Sequence, residues 1–181
     1  MLRVRDEGHR WLWSGDLDAA TRNLARYVEQ HPQDVDAVLA LANTYEERGE
    51  LETARRLLES ARGAVGSEAR ILHQLGRLAL KRGNAGAAID WLREAVQQHP
   101  ESPRLLGELA AALAAEGRFG EAVPVAQRQV AAERQPARRD EAIRHLTALR
   151  YRAAQDDTDT SAGDQALRRL LGESPEFVPT V

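Results

Sequence analysis

Apolar residues over the first 136 positions recur three and four residues apart, which is the spacing of one face of an amphipathic helix. The helical stretches come in pairs, and a glycine separates the two members of each pair. The pattern predicts first helices over 2–13, 35–47, 69–81 and 103–115. It predicts second helices over 17–30, 51–62, 85–98 and 119–133. The fold class is therefore all-α, built from short helical hairpins.

The glycines between paired helices lie 34 residues apart, and an alanine follows each of them five residues later. Glycine suits such a turn because it adopts a left-handed backbone at little cost. Alanine suits a close crossing of two helices, since a bulkier side chain would separate them. A fixed period between 20 and 50 residues indicates stacked structural repeats. The positions are Gly15, Gly49, Gly83 and Gly117, followed by Ala20, Ala54, Ala88 and Ala122.

When the sequence is aligned on this 34-residue period, other columns of the alignment also agree. One column contains Leu41, Leu75 and Leu109, and the next contains the small residues Ala42, Gly76 and Ala110. This pattern resembles the tetratricopeptide repeat family over about residues 1–136. The resemblance divides the chain into repeats at about 1–34, 35–68, 69–102 and 103–136. It implies a right-handed α–α superhelix, or solenoid, of about four helical hairpins that binds a protein or peptide on its concave face.

The period stops near residue 136, and the rest of the chain is predicted to close the stack. Residues of about 137–155 read as one capping helix with an apolar side, which completes a solenoid over 1–155. Residues 156–181 read as an acidic linker followed by a loosely ordered tail. The tail carries apolar residues at Phe177, Val178 and Val181.

Composition and motifs argue against several classes of function. The five histidines have no metal-ligand spacing, no phosphate-binding loop or nucleophile motif occurs, and cysteine is absent. We therefore expect no enzymatic activity, no cofactor and no metal site. The formal net charge of −3 at pH 7 argues against a nucleic-acid binder, which is usually strongly basic.

The expected location follows from the absence of two further signals. No stretch approaches the length of apolar sequence that a membrane span needs, so no membrane partner is expected. The first residues lack the apolar core of a signal peptide, which favours the cytoplasm and leaves the periplasm open.

The resemblance also places specific positions of each first helix on the concave face. In the third repeat those positions carry most of the positive charge of the face, so we expect a peptide partner with an acidic group there. Ala40 stands where the carboxylate clamp of co-chaperone members needs Asn, which argues against that particular clamp. The candidate partner-binding residues in the groove are Arg5, His9, Trp13, Asn43, Arg70, His73, Gln74, Arg77 and Lys81.

The sequence leaves open two alternatives to a protein–protein interaction scaffold that binds its partner in the concave groove. The chain could be a structural subunit that self-associates through its ends, since Leu2, Val4, Leu12 and Trp13 make the N-terminal end apolar and would give a homo-oligomer. It could also be an accessory repeat domain of a larger enzyme or of a secretion or assembly complex.

Overall fold

The computed structural model describes residues 17–156, and all regular structure within this range is α-helical. The helices are α1 (Leu17–Gln30), α2 (Val35–Glu47), α3 (Leu51–Val65), α4 (Ala69–Lys81), α5 (Ala85–Gln98), α6 (Pro103–Ala115), α7 (Phe119–Ala132) and α8 (Pro136–Asp156). The all-α helical repeat predicted from the sequence is confirmed. The helices belong to two compact units, with α1 to α5 in the first and α6 to α8 in the second.

Most helix bounds coincide with the predicted ones, and the differences lie at helix ends. Helix α3 extends three residues beyond its predicted end at residue 62, so Gly63 lies inside the helix. Helix α7 begins at Phe119, and Pro124 lies inside it. The predicted helix over 2–13 and the segment after Asp156 lie outside the described residues.

Glycine turns join the two helices of a hairpin in the same way three times. Gly49, Gly83 and Gly117 have φ values of 78°, 73° and 73°, in the left-handed region that favours glycine. In each turn the next residue donates its N–H to a carbonyl five residues earlier, at 2.8–2.9 Å. This bond closes the end of the first helix, as in a Schellman motif.

Small residues lie where the paired helices cross. Ala54 and Ala88 are fully buried in the first unit. A Cβ placed on Gly76 of α4 would lie 2.7 Å from Cγ of Leu92 on α5, which is closer than packed carbon atoms approach. The buried core around these crossings includes Leu24, Leu41, Leu58, Ile71, Leu75 and Leu78.

The second unit is assembled by the same local rules. The Ser102 side chain accepts a hydrogen bond from the Leu105 N–H, and Pro103 is the first residue of α6, which is an N-cap followed by proline. Helix α8 buries a stripe that contains Ala142, Leu146 and Leu149. None of the helices between residues 17 and 156 combines the length and the apolar character needed to cross a bilayer.

Candidate partner-binding surfaces

The predicted groove residues that the structure describes lie on helices α2 and α4 of the first unit. Three predicted members, Arg5, His9 and Trp13, lie outside the described residues. Asn43 is on α2, and the others are on α4. We call this surface the α2–α4 face, and it consists of Asp36, Asn43, Glu46, Arg70, His73, Gln74, Arg77 and Lys81.

Glu46 is the centre of the polar contacts on the α2–α4 face. Its side chain is only 7% exposed, and it joins two cations of the next repeat. Arg77 Nη2 donates to Glu46 Oε1 at 3.1 Å, and Lys81 Nζ donates to the same oxygen. The second carboxylate oxygen accepts from Gln74 Nε2 at 3.0 Å. One acidic side chain of α2 therefore pairs with two of the three cations that α4 contributes to this face.

Gln74 of α4 also links this helix to α2 by hydrogen bonds. The residue is 5% exposed, and its Nε2 also donates to Asn43 Oδ1 at 2.6 Å. Its Oε1 accepts from Arg77 Nη1 at 3.2 Å. Every polar atom of the buried amide thus has a partner, which holds Asn43 and Arg77 in defined positions.

Arg70 forms a second, more exposed contact between the repeats. Its Nη1 lies 2.6 Å from Asp36 Oδ1, and its Nε lies 2.7 Å from Glu68 Oε1. Hydrogen bonds to Glu68 and to Asp36 raise the pKa of Arg70, so the guanidinium stays charged. The side chain is 55% exposed, which leaves its outer N–H groups facing water.

The structure brings together six of the predicted residues. It also shows acidic side chains paired with the predicted cations, and the sequence analysis did not predict these pairs. His73 is partly buried on α4, on the helix that carries the cations. Asp36 and Arg70 occupy the same column of adjacent repeats, 34 residues apart. Opposite charges in one column of neighbouring repeats were therefore the signal for this pairing. The face is an ion-paired network rather than an open cationic patch.

A cleft of about 1060 Å³ lies in the second unit, between α6, the end of α7 and the first half of α8. Burial lowers the pKa of His145 in its wall, and the carboxylate of Glu141 opposes that shift. We call it the fourth-repeat cleft; its lining includes Arg104, Gly107, Glu108, Ala111, Gln129, Arg134, Arg138, Glu141, Ala142 and His145.

Within residues 17–156, no group of three or more His, Asp or Glu side chains comes together as metal ligands would. The chemistry available on both surfaces is hydrogen bonding and ion pairing.

Comparison with known proteins gives a family and a set of similar structures. The sequence model of the tetratricopeptide repeat family matches residues 13–78 and 79–146. None of the curated proteins matches the sequence closely enough to count as a relative.

Among solved structures, MamA from Desulfovibrio magneticus RS-1 has a TM-score of 0.72 at 16% identity, covering 97% of this chain and 96% of that chain. A crystal structure of MamA protein has a TM-score of 0.72 at 18% identity, covering 99% and 97%. YrrB, described as a tetratricopeptide repeat protein with an unusual peptide-binding site, has a TM-score of 0.70 at 16% identity, covering 96% and 86%. These likenesses concern the fold.

Proposed function

We propose that this chain, which belongs to the tetratricopeptide repeat family, is a protein–protein interaction module that binds a partner peptide along the α2–α4 face. The observation that supports this proposal most directly is the buried network of Glu46 and Gln74. The hydrogen bonds of these two buried side chains hold Asn43, Arg77 and Lys81 in defined positions. The binding residues are therefore preorganised, which lowers the entropic cost of binding a partner. The peptide-binding site named for YrrB, a protein of similar fold, is consistent with this use.

The acidic group expected on the partner is best placed beside Arg70 and Lys81. Their side chains are 55% and 52% exposed, so each retains donors that its present carboxylate does not occupy. Arg77 is less accessible, and its removal would leave the nearly buried Glu46 short of a partner. Arg70 and Lys81 lie 11 residues apart on α4, about 16 Å along the helix. A partner carboxylate beside either of them would form charge-assisted hydrogen bonds without dismantling the network.

The test compares two double variants that remove equal charge. Arg70→Gln with Lys81→Gln removes the exposed donors of the face. Arg26→Gln with Arg56→Gln removes two exposed arginines from second helices and serves as the control. Partners captured by the parent protein are identified by mass spectrometry, and the affinity of a purified partner is then measured for all three proteins.

We expect the first double variant to lose roughly 10- to 150-fold in affinity, the equivalent of about 1.5–3 kcal/mol for a lost charged hydrogen bond. The control should bind as the parent does. Binding should also weaken as salt rises, because the contacts are partly exposed. Equal affinity of all three proteins would move the binding surface elsewhere, and capture of this chain alone would favour the self-associating subunit.

A further inference from the structure

Lys81 is the single lysine of the chain, whose 25 basic residues are otherwise all arginine. It is the last residue of α4 and lies on the α2–α4 face, where its ammonium group donates to Glu46. A lysine ammonium is a compact charge with three donors on a flexible stem, whereas an arginine guanidinium is a rigid planar fork. Lys81 can therefore turn one donor toward a new acceptor and keep its bond to Glu46.

Arg70, near the other end of α4, is already held by two carboxylates. Its Nε donates to Glu68 at 2.7 Å, and its Nη1 donates to Asp36 at 2.6 Å. These contacts involve two of the three nitrogens of the guanidinium. A partner carboxylate that approached Arg70 would therefore meet two negative charges beside one positive charge, and like charges repel each other.

The ratio of charges is reversed around Lys81. There a single carboxylate, that of Glu46, is shared by two cations, because Arg77 and Lys81 both donate to its Oε1. Glu46 is 7% exposed and Lys81 is 52% exposed, so the ammonium group faces water while the carboxylate does not. Within residues 17–156 this is the one ion pair of Lys81, which leaves two of its three N–H donors for a partner.

The two ends of the face act on a partner separately. Arg70 and Lys81 are about 16 Å apart along α4, as given above. The screening length at physiological ionic strength is about 8 Å, so a partner group at one end responds mainly to the charges of that end. An acidic group therefore has a clear preference between the two positions.

We propose that Lys81 selects an acidic side chain, glutamate or aspartate, on the partner, and that Arg70 joins the second repeat to the third without contacting that group. The inference rests on the proposed function, since it assigns one residue of the α2–α4 face to the acidic group. Arg77 is a positioning residue in this scheme. It shares the carboxylate of Glu46, so that Glu46 does not fully neutralise Lys81.

Pools of synthetic peptides test the proposal on the full chain. Each pool is acetylated and amidated at its ends, so that no terminal carboxylate contributes. One central position is fixed, as Glu in the test pool and as Gln in the control pool, and the other positions are randomised among uncharged residues. Immobilised protein is incubated with equal amounts of the two pools, one of them isotope-labelled, and mass spectrometry gives the ratio of retained Glu peptides to Gln peptides.

We expect the parent protein to retain Glu peptides over Gln peptides by roughly 10-fold, as for one charged hydrogen bond. Lys81→Gln should bring the ratio close to one. Arg70→Gln is the matched control, because it removes the same charge from the same helix and from a side chain of similar exposure. Its ratio should stay within about 3-fold of that of the parent, as for an exposed ion pair of small effect.

Acetylation of the folded parent removes the charge of Lys81 without a mutation, since the chain has no other lysine. The ratio should again fall close to one. The control is acetylation of the Lys81→Arg variant, in which no side-chain amine is left to react. That treatment should leave the ratio of the variant unchanged, which separates the effect of Lys81 from that of the α-amino group.

Three results would overturn the proposal. A preference for Glu that persists after loss of the Lys81 charge and falls in Arg70→Gln would move the acidic group to Arg70. Equal losses in the two single variants would mean that neither residue selects it. A parent that shows no preference for Glu would remove the acidic group altogether. Each of these leaves the proposed function standing, which fails only if a purified partner binds the double variant as tightly as the parent.

Discussion

At the scale of single residues, the absence of one methyl group sets the distance between α4 and α5. Gly76 faces the fully buried Leu92, and a Cβ at that position would lie 2.7 Å from its Cγ. The contact atom is a branch point held by the surrounding core, so it cannot move away as the tip of a flexible side chain could. The small residues that recur every 34 positions in the sequence reflect this need for a close approach of the two helices.

We expect Gly76→Ala to destabilise the protein by about 1–3 kcal/mol, because overpacking outweighs the gain of about 1 kcal/mol from helix propensity. The sign should reverse in a Leu92→Ala background, where the added methyl group has room and only the helix propensity remains. Urea denaturation of the four proteins measures both values. A destabilising Gly76→Ala in both backgrounds would contradict the steric explanation.

At the scale of elements, charged side chains join α2 to α4 across a repeat boundary. Glu46 contacts Arg77 at 3.1 Å and also contacts Lys81, while Gln74 connects the same carboxylate to Asn43. Isolated surface ion pairs contribute little to stability, but this carboxylate is nearly buried and has three donors. The network therefore stabilises the stacking of the second repeat on the third as well as positioning the proposed binding residues.

We expect Glu46→Ala to lower the free energy of unfolding by about 1–3 kcal/mol, because Arg77 Nη2 and one N–H of the buried Gln74 amide lose their acceptor. Glu47→Ala is the matched control, since Glu47 is the next residue of α2 and is exposed. Its effect should be within about 0.5 kcal/mol of zero. Equal stability of the two variants in chemical denaturation would show that the network acts only on binding.

At the scale of the whole molecule, the structure consists of two units that each contain a complete hairpin crossing and a buried core. The first unit contains the α2–α4 face, and the second contains the fourth-repeat cleft. In repeat proteins each element contacts mainly its neighbours, so stability is close to a sum of local terms.

We expect deletion of residues 157–181 to leave the helical content of the remaining chain intact. The repeats and α8 contain a buried core of their own, which includes Leu109, Leu113 and Leu146. Circular dichroism of the shortened and full chains, scaled to residue number, provides the measurement. A collapse of the helical signal after deletion would show that Phe177 and its neighbours belong to the core.

The helices and their turns could be predicted from the sequence because their causes are local and repeated. The spacing of apolar residues, the glycine of each turn and the small residue of each crossing all act within one hairpin. Gly49, Gly83 and Gly117 adopt the positive φ that their column predicted. Ser102 and Pro103 start α6 by a cap that also acts within one helix.

The tertiary structure alone decided which charges are paired and which remain available. Arg70 and Arg77 were both predicted to face the groove. In the structure, Arg70 forms an ion pair with Asp36 of α2, and Arg77 forms one with Glu46. The physical reason is that surface contacts depend on how two helices face each other. The shared column of Asp36 and Arg70 was a signal for one pair, but no such column links Glu46 to Arg77.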